Sequence, residues 1–141
     1  MNNVRYLLLF AAVTLAVNLD GPVIAAEPGS EKPSATAIKH VDAQQAQKLI
    51  ADKQVIVLDI RTPGEFKKGR IADAKNIDFQ GADFEQRIEG LDKSKSYLVH
   101  CASGGRSTHS LLLFKKHEFQ SIYHLDGGIK AWEKAGLPVE K

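Results

Sequence analysis

The run Gln54-Val55-Ile56-Val57-Leu58-Asp59 constrains the fold more than any other stretch, because unbroken apolar residues end on an acid. A half-exposed strand would alternate apolar and polar residues. A continuous run instead predicts a central strand covered on both faces, as in a parallel sheet flanked by helices. Functional groups in such sheets gather at the carboxyl ends of the strands. Here that end carries Asp59, Arg61 and a turn at Thr62-Pro63-Gly64 leading into a short helix with Glu65 and Phe66.

The rest of the chain alternates in the same manner. Residues 38–41 predict a short edge strand, and Asp42 is suited to cap a helix over 43–51 whose Ala46, Leu49 and Ile50 fall at helical spacing. A turn from Gly69 leads to a short strand near 74–77, and a helix over 82–89 aims Phe84, Ile88 and Leu91 at the core. A strand over 97–100 is followed by a loop, then by a helix over 107–117 with Leu111, Leu112 and Phe114 facing inward. The last strand covers 121–125, Asp126-Gly127-Gly128 makes a tight turn, and a final helix over 129–134 is anchored by Trp132 and closed by Gly136. This alternation predicts an α/β layered domain with a mainly parallel central sheet flanked by helices.

The 141 residues suit one such domain, and 43% hydrophobic with 26% charged residues excludes a disordered or fibrous chain. A formal charge of +2 provides no basic stripe for nucleic acid. The amino-terminal segment has a different character. Arg5 precedes the 11-residue apolar run Leu7 to Val17, and small residues lie at Ala25 and Ala26, which is the layout of a signal peptide over 1–26. The run is shorter than the about 20 residues that span a bilayer. The competing reading is an uncleaved anchor. Removal of 1–26 takes away Arg5 and Asp20, leaves the charge at +2, and implies no stable membrane insertion. Residues 27–37, rich in Pro, Ser and charge, read as a flexible spacer before a domain over 38–141. The expectation is an exported protein, periplasmic in a two-membrane bacterium.

Export gives meaning to the single cysteine, since exported domains use cysteines in pairs as disulfides and Cys101 has no partner in the sequence. It lies in His100-Cys101-Ala102-Ser103-Gly104-Gly105-Arg106-Ser107, a run of small residues closed by an arginine between a strand and a helix. The competing reading is a buried thiol acting as a small hydrophobe. A reactive thiol requires the thiolate. Inward amides of the loop, the positive end of the helix and the Arg106 guanidinium all favour that charged form. Gly104 and Gly105 are expected to supply positive-φ conformations for this cradle, against the alternative of a plain flexible turn. Ala102 and Ser103 form its entrance. An anion cradle beside a thiolate fits phosphoryl transfer or sulfane-sulfur transfer.

These residues resemble the rhodanese family of sulfurtransferases in its single-domain form. Val57-Leu58-Asp59-Ile60-Arg61 with Glu65-Phe66 is similar to the family's first signature. Gly69-Arg70-Ile71 with Ala74-Lys75-Asn76-Ile77 is similar to a second, Cys101 to Arg106 to the active loop, and Leu125-Asp126-Gly127-Gly128-Ile129-Lys130-Ala131-Trp132 to the closing motif. The resemblance implies a rhodanese-like three-layer domain in which Cys101 alternates between thiolate and persulfide. A small sulfur donor such as thiosulfate would load it, and cyanide, a small thiol or a protein thiol would unload it, with no cofactor. The amides from Ala102 to Ser107 would hold the persulfide, Arg106 would brace the loop, and Asp59 and Arg61 would support it as an ion pair at the strand end.

Related cysteine phosphatases and arsenate reductases place one residue more between cysteine and arginine than the four of Ala102 to Gly105. A non-catalytic persulfide carrier or interaction module is the other alternative. Two positions depart from the family pattern. Arg70 stands where histidine is frequent, and Glu65 stands where some two-domain members carry an arginine that holds the anionic donor, so weak thiosulfate binding is expected. The spacing of His100, His109, His117 and His124 matches no common set of metal ligands, and His109 is the histidine expected to approach the loop.

Overall fold

The computed structural model describes residues 35–141, so the signal segment 1–26 and spacer residues 27–34 lie outside the described residues. In chain order the elements are β1 (Ala37–Val41), α1 (Ala43–Ala51), β2 (Ile56–Asp59), α2 (Pro63–Lys68), β3 (Lys75–Asn76), α3 (Phe84–Glu89), β4 (Ser96–His100), α4 (Gly105–Lys116), β5 (Ser121–Leu125) and α5 (Gly128–Lys134). The strands form one sheet in the order β1-β5-β4-β2-β3, and each pairing between them is parallel. The apolar run thus supplies an interior strand, β2, whose Val57, Leu58 and Asp59 are buried.

Side chains on successive strand residues point to opposite faces, and the two halves of the core follow that period. Leu58 of β2 with Tyr97 and Val99 of β4 join Phe84 and Ile88 of α3 and Leu111 and Phe114 of α4 on one face. Val57 and Leu98 point the other way, into a second cluster with Ala43 and Ala46 of α1 and Ile129 and Trp132 of α5. These are the layers of a helix–sheet–helix domain. Helix α1 starts at the predicted cap, where Asp42 accepts the Gln45 amide and Gln45 returns the bond. Trp132 is buried and donates its indole N–H to the Pro138 carbonyl at 2.9 Å, fastening α5 to the chain that follows it.

Three expectations change. Ala37, placed in the spacer by composition, opens β1 because it pairs with Ser121 and donates its amide to Gln120. Helix α4 starts at Gly105, two residues before the position expected from its apolar pattern. Leu112 is 73% exposed, not core-facing, since the inward stripe of α4 runs through Ser107, Ser110, Leu111 and Phe114 at helical spacing.

The chain leaves β2 towards β3 on one side and leaves β4 towards β5 on the other, so the crevice between β2 and β4 is the topological switch point of the sheet. The floor of this crevice is a polar frame. Arg61 donates two bonds from Nε and one from Nη2 to the Asp59 carboxylate, at 2.6–3.0 Å, and a further bond to the Gly69 carbonyl. Asn76 Nδ2 donates to the carbonyls of Asp59 and Arg61. Asp59 is fully buried and Arg61 is 6% exposed. Deleting one partner of such a pair leaves the other charge buried and uncompensated. Asp59→Ala is therefore expected to lower the unfolding free energy by about 3–5 kcal/mol in urea denaturation, and a loss under about 1 kcal/mol, the worth of a surface pair, would contradict this role.

Candidate active site

Cys101 is the first residue after β4, so a buried strand delivers the thiol to the switch point. The chain then turns sharply into α4. Gly104 makes the turn with φ of 101°, a conformation that favours glycine, and its N–H donates to Cys101 Sγ at 3.2 Å. Gly105 does not share this role. It opens α4 with ordinary φ and open space where a Cβ would stand, so only one of the two glycines shapes the cradle.

The loop rests on the turn between β5 and α5. Ile129 and Lys130 donate their amides to the carbonyls of Cys101 and Ala102, at 2.9 and 3.1 Å. In a trans peptide the N–H points opposite to the C=O. Holding those two carbonyls down therefore turns the amides of Ala102 and Ser103 towards the sulfur side. Gly128 permits the approach: at φ of 61° a Cβ there would run into the Cys101 carbonyl oxygen and come within 2.8 Å of the Ala102 carbonyl carbon and oxygen. Ala102 is half-buried and Ser103 exposed, which places them at the rim as expected.

Burial pushes the Cys101 thiol up, but the Ser107 hydroxyl and the amides of Ser107, Ser103 and Gly104 outweigh it and leave the pKa below the ordinary value. The hydroxyl lies 3.5 Å from Sγ. The predicted direction is thus present, with a different source from the one expected for Arg106. That guanidinium is clasped by Glu65 through two bonds of 2.9 and 2.8 Å, and its coulombic interaction with Cys101 ranks behind this pair. The Arg106 bond is the largest influence holding Glu65 down, at about 2 against an ordinary 4.5, and Thr62 adds to it. The stability that this pair contributes is complete above the ordinary carboxylate range and is lost as pH falls towards 2. Glu65 also accepts the Thr62 amide, completing the capping box of α2, so one carboxylate ties α2 to α4 across the mouth.

The histidine that reaches the loop is His124, not His109, which is exposed on α4. His124 Nε2 is 2.9 Å from Ser107 Oγ and Nδ1 is 2.8 Å from Asp126 Oδ1. The Ser107 proton thus has three acceptors in reach, His124 Nε2, the Gly104 carbonyl at 3.0 Å and Cys101 Sγ. Sequence reasoning missed this residue: the two-residue spacing of His124 and Asp126 could signal their own contact, but the reach of His124 to Ser107 joins β5 to α4 and has no local signal. His100 is fully buried, 3.7 Å from Asp59. Burial holds its pKa down and keeps it neutral, so this is no salt bridge. Among the expected site residues the structure brings Cys101, Ser103, Gly104 and Ser107 around the sulfur, keeps Asp59 and Arg61 in the frame below, and turns Arg106 to Glu65.

Ser107→Ala removes the hydroxyl from Sγ. The pH midpoint of Cys101 alkylation is expected to rise, with slower alkylation at neutral pH, while Thr108→Ala leaves the midpoint in place; an unchanged midpoint in the Ser107 variant would remove the hydroxyl from the account. Gly128→Ala is expected to lower the thermal midpoint and to disturb the same titration, since the turn would have to withdraw from the loop.

The rhodanese-like domain family matches residues 42–135 of this chain, the whole segment from the α1 cap to the end of α5. The thiosulfate sulfurtransferase GlpE of Vibrio cholerae is 31% identical over 101 residues, covering 72% of this chain and 93% of its own. A sulfurtransferase of Allochromatium vinosum is 29% identical over 103 residues, covering 72% and 94%. The crystal structure of a rhodanese-related protein from Thermoplasma volcanium superposes with a TM-score of 0.65 at 29% identity, covering 72% of this chain and 97% of that one. A parallel five-stranded sheet with its carboxyl ends turned to a cysteine loop, and a family match that takes in β2 to β5 and the loop, lead to one conclusion: this chain belongs to the rhodanese-like domain family.

Proposed function

We propose that this protein is a sulfurtransferase that carries one sulfane sulfur as a Cys101 persulfide. The observation that carries the reading is the ring of donors on Sγ, the Gly104 amide at 3.2 Å and the Ser107 hydroxyl at 3.5 Å, in a loop with four residues before Arg106. In the first half-reaction the thiolate attacks the outer sulfur of a donor such as thiosulfate. The new S–S bond forms as the S–S bond of the donor breaks, and sulfite leaves with the bonding pair. In the second, a thiolate or cyanide attacks the outer persulfide sulfur and Cys101 leaves as the thiolate. This is ping-pong nucleophilic catalysis, and the terminal persulfide anion takes up the same amides that held the thiolate.

The Glu65–Arg106 pair speaks to the choice of donor. Its opposite charges largely cancel at the mouth, so a dianion gains little from Arg106, and donors of lower charge or a protein persulfide are the better fit. A persulfide carrier that is slow to turn over is favoured by the same cancellation. The apolar run from Leu7 to Val17 supports export as the setting, with the periplasm as the compartment.

Exposed to thiosulfate and other sulfane donors, Cys101 is expected to gain the mass of one sulfur atom and to lose it to cyanide or a thiol; Cys101→Ser gains none. Sulfur that is gained and never released would select the carrier. Cys101-dependent release of phosphate from an aryl phosphate, with no sulfur gained from any donor, would overturn the proposal. Glu65→Gln keeps an acceptor for the α2 cap and frees Arg106, so the KM for thiosulfate is expected to fall several-fold, and a rise would show that the carboxylate aids donor binding.

A further inference from the structure

Where β5 meets the edge strand β1, three side chains converge, one of them the His124 that bonds Ser107 in the cysteine loop. His40 and His124 are direct partners in the parallel register of β1 and β5, so their rings share one face, 4.9 Å apart between centroids. Asp126 lies two residues beyond His124, and its amide extends the ladder by donating to Val41 O. The Nδ1 atoms of both rings reach one carboxylate oxygen of Asp126, at 2.7 and 2.8 Å, and all three potential ligand atoms lie within 4.8 Å of one another.

We propose that His40, His124 and Asp126 form a binding site for a divalent transition-metal ion of the zinc class. Two imidazoles and one carboxylate suit such ions, whereas magnesium and calcium prefer oxygen ligands alone. Metal–ligand bonds of about 2.0–2.1 Å in tetrahedral array separate ligand atoms by about 3.3 Å. The exposed His40 ring therefore has to swing inward, bringing ligand atoms now up to 4.8 Å apart to about 3.3 Å, and the carboxylate oxygen has to draw back by about half an ångström. Asp126 is 55% exposed and free to do so. His40 is equally exposed, so an ion enters from solvent without any opening of the fold, and the fourth position remains for water.

His124 supplies the rigid part. Its side chain is 3% exposed, and its second ring nitrogen is already held by the Ser107 hydroxyl at 2.9 Å. Metal-bound histidines characteristically have such a partner on the remote nitrogen, fixing ring and tautomer. With Nδ1 on the ion, the neutral ring carries its proton on Nε2 and donates it to Ser107 Oγ. Nε2 then ceases to accept the hydroxyl proton, leaving the Gly104 carbonyl and Cys101 Sγ as its acceptors. An ion at the sheet edge would in this way be linked to the loop through Ser107.

The test is a titration of the purified, untagged protein, stripped with a chelator, with Zn2+ alone and in parallel with Mg2+. One equivalent of Zn2+ is expected to bind to the wild type and to Cys101→Ser, with no heat from Mg2+. His40→Ala and Asp126→Asn alter exposed side chains, and circular dichroism checks that both remain folded. Each is expected to weaken binding by more than about tenfold. With Co2+ as the spectroscopic probe, the wild type should show d–d bands without a thiolate charge-transfer band, and His40→Ala should lose them. Absence of Zn2+ binding, or binding that Cys101→Ser abolishes while His40→Ala retains it, would overturn the proposal. Neither result depends on sulfur transfer, so the two proposals can fail separately.

Discussion

The amides of Ile129 and Lys130 hold the carbonyls of Cys101 and Ala102, and the cysteine loop depends on that contact more than on any side chain within it. Peptide planarity converts the anchoring of carbonyls below into the presentation of amides above. The contact needs Gly128, since any Cβ there would occupy the place of the loop backbone. It also explains why the stretch that closes the domain and the stretch that carries the thiol lie on neighbouring strands, β5 and β4. The cradle is a property of two loops packed together.

Charge is arranged around this cradle with economy. In the buried Asp59–Arg61 pair below it, Arg61 also donates to the Gly69 carbonyl, and Asn76 ties down the backbone carbonyls of both residues. The Glu65–Arg106 pair across the mouth is closed, as both Arg106 terminal nitrogens meet Glu65. Arg106 interacts with Cys101, though less than with Glu65, and neither arginine does most to stabilise the charged sulfur. Dipoles of the loop and the Ser107 hydroxyl do so instead, and they overcome burial that would otherwise favour the protonated thiol. Such a site holds a single charged sulfur well and exerts little pull on a distant dianion.

Much of this was legible in the residues. The unbroken run ending at Asp59 implied an interior parallel strand, and the lone Cys101 among small residues marked the loop, because both signals are local. The partnership of Asp59 with Arg61 was legible for the same reason. What escaped was whatever depends on pairing across strands. The sequence marks Glu65 only as a carboxylate where some members carry an arginine, and does not reveal that it meets Arg106 across 41 positions. His40 and His124 are joined only by the β1–β5 register, which no spacing along the chain reveals. Leu112 faces outward because the four consecutive apolar residues Leu111 to Phe114 cannot all face one way on a helix.

Backbone amides and the Ser107 hydroxyl lower the pKa of Cys101 despite its burial. The direct measurement is a pH titration of thiolate ultraviolet absorbance in the wild-type protein, which has one cysteine and therefore one signal. The expected midpoint lies below that of free cysteine, and the rate of alkylation follows the same midpoint. A midpoint at or above the free value would mean that burial wins and that the loop amides and the Ser107 hydroxyl do not stabilise the charged sulfur.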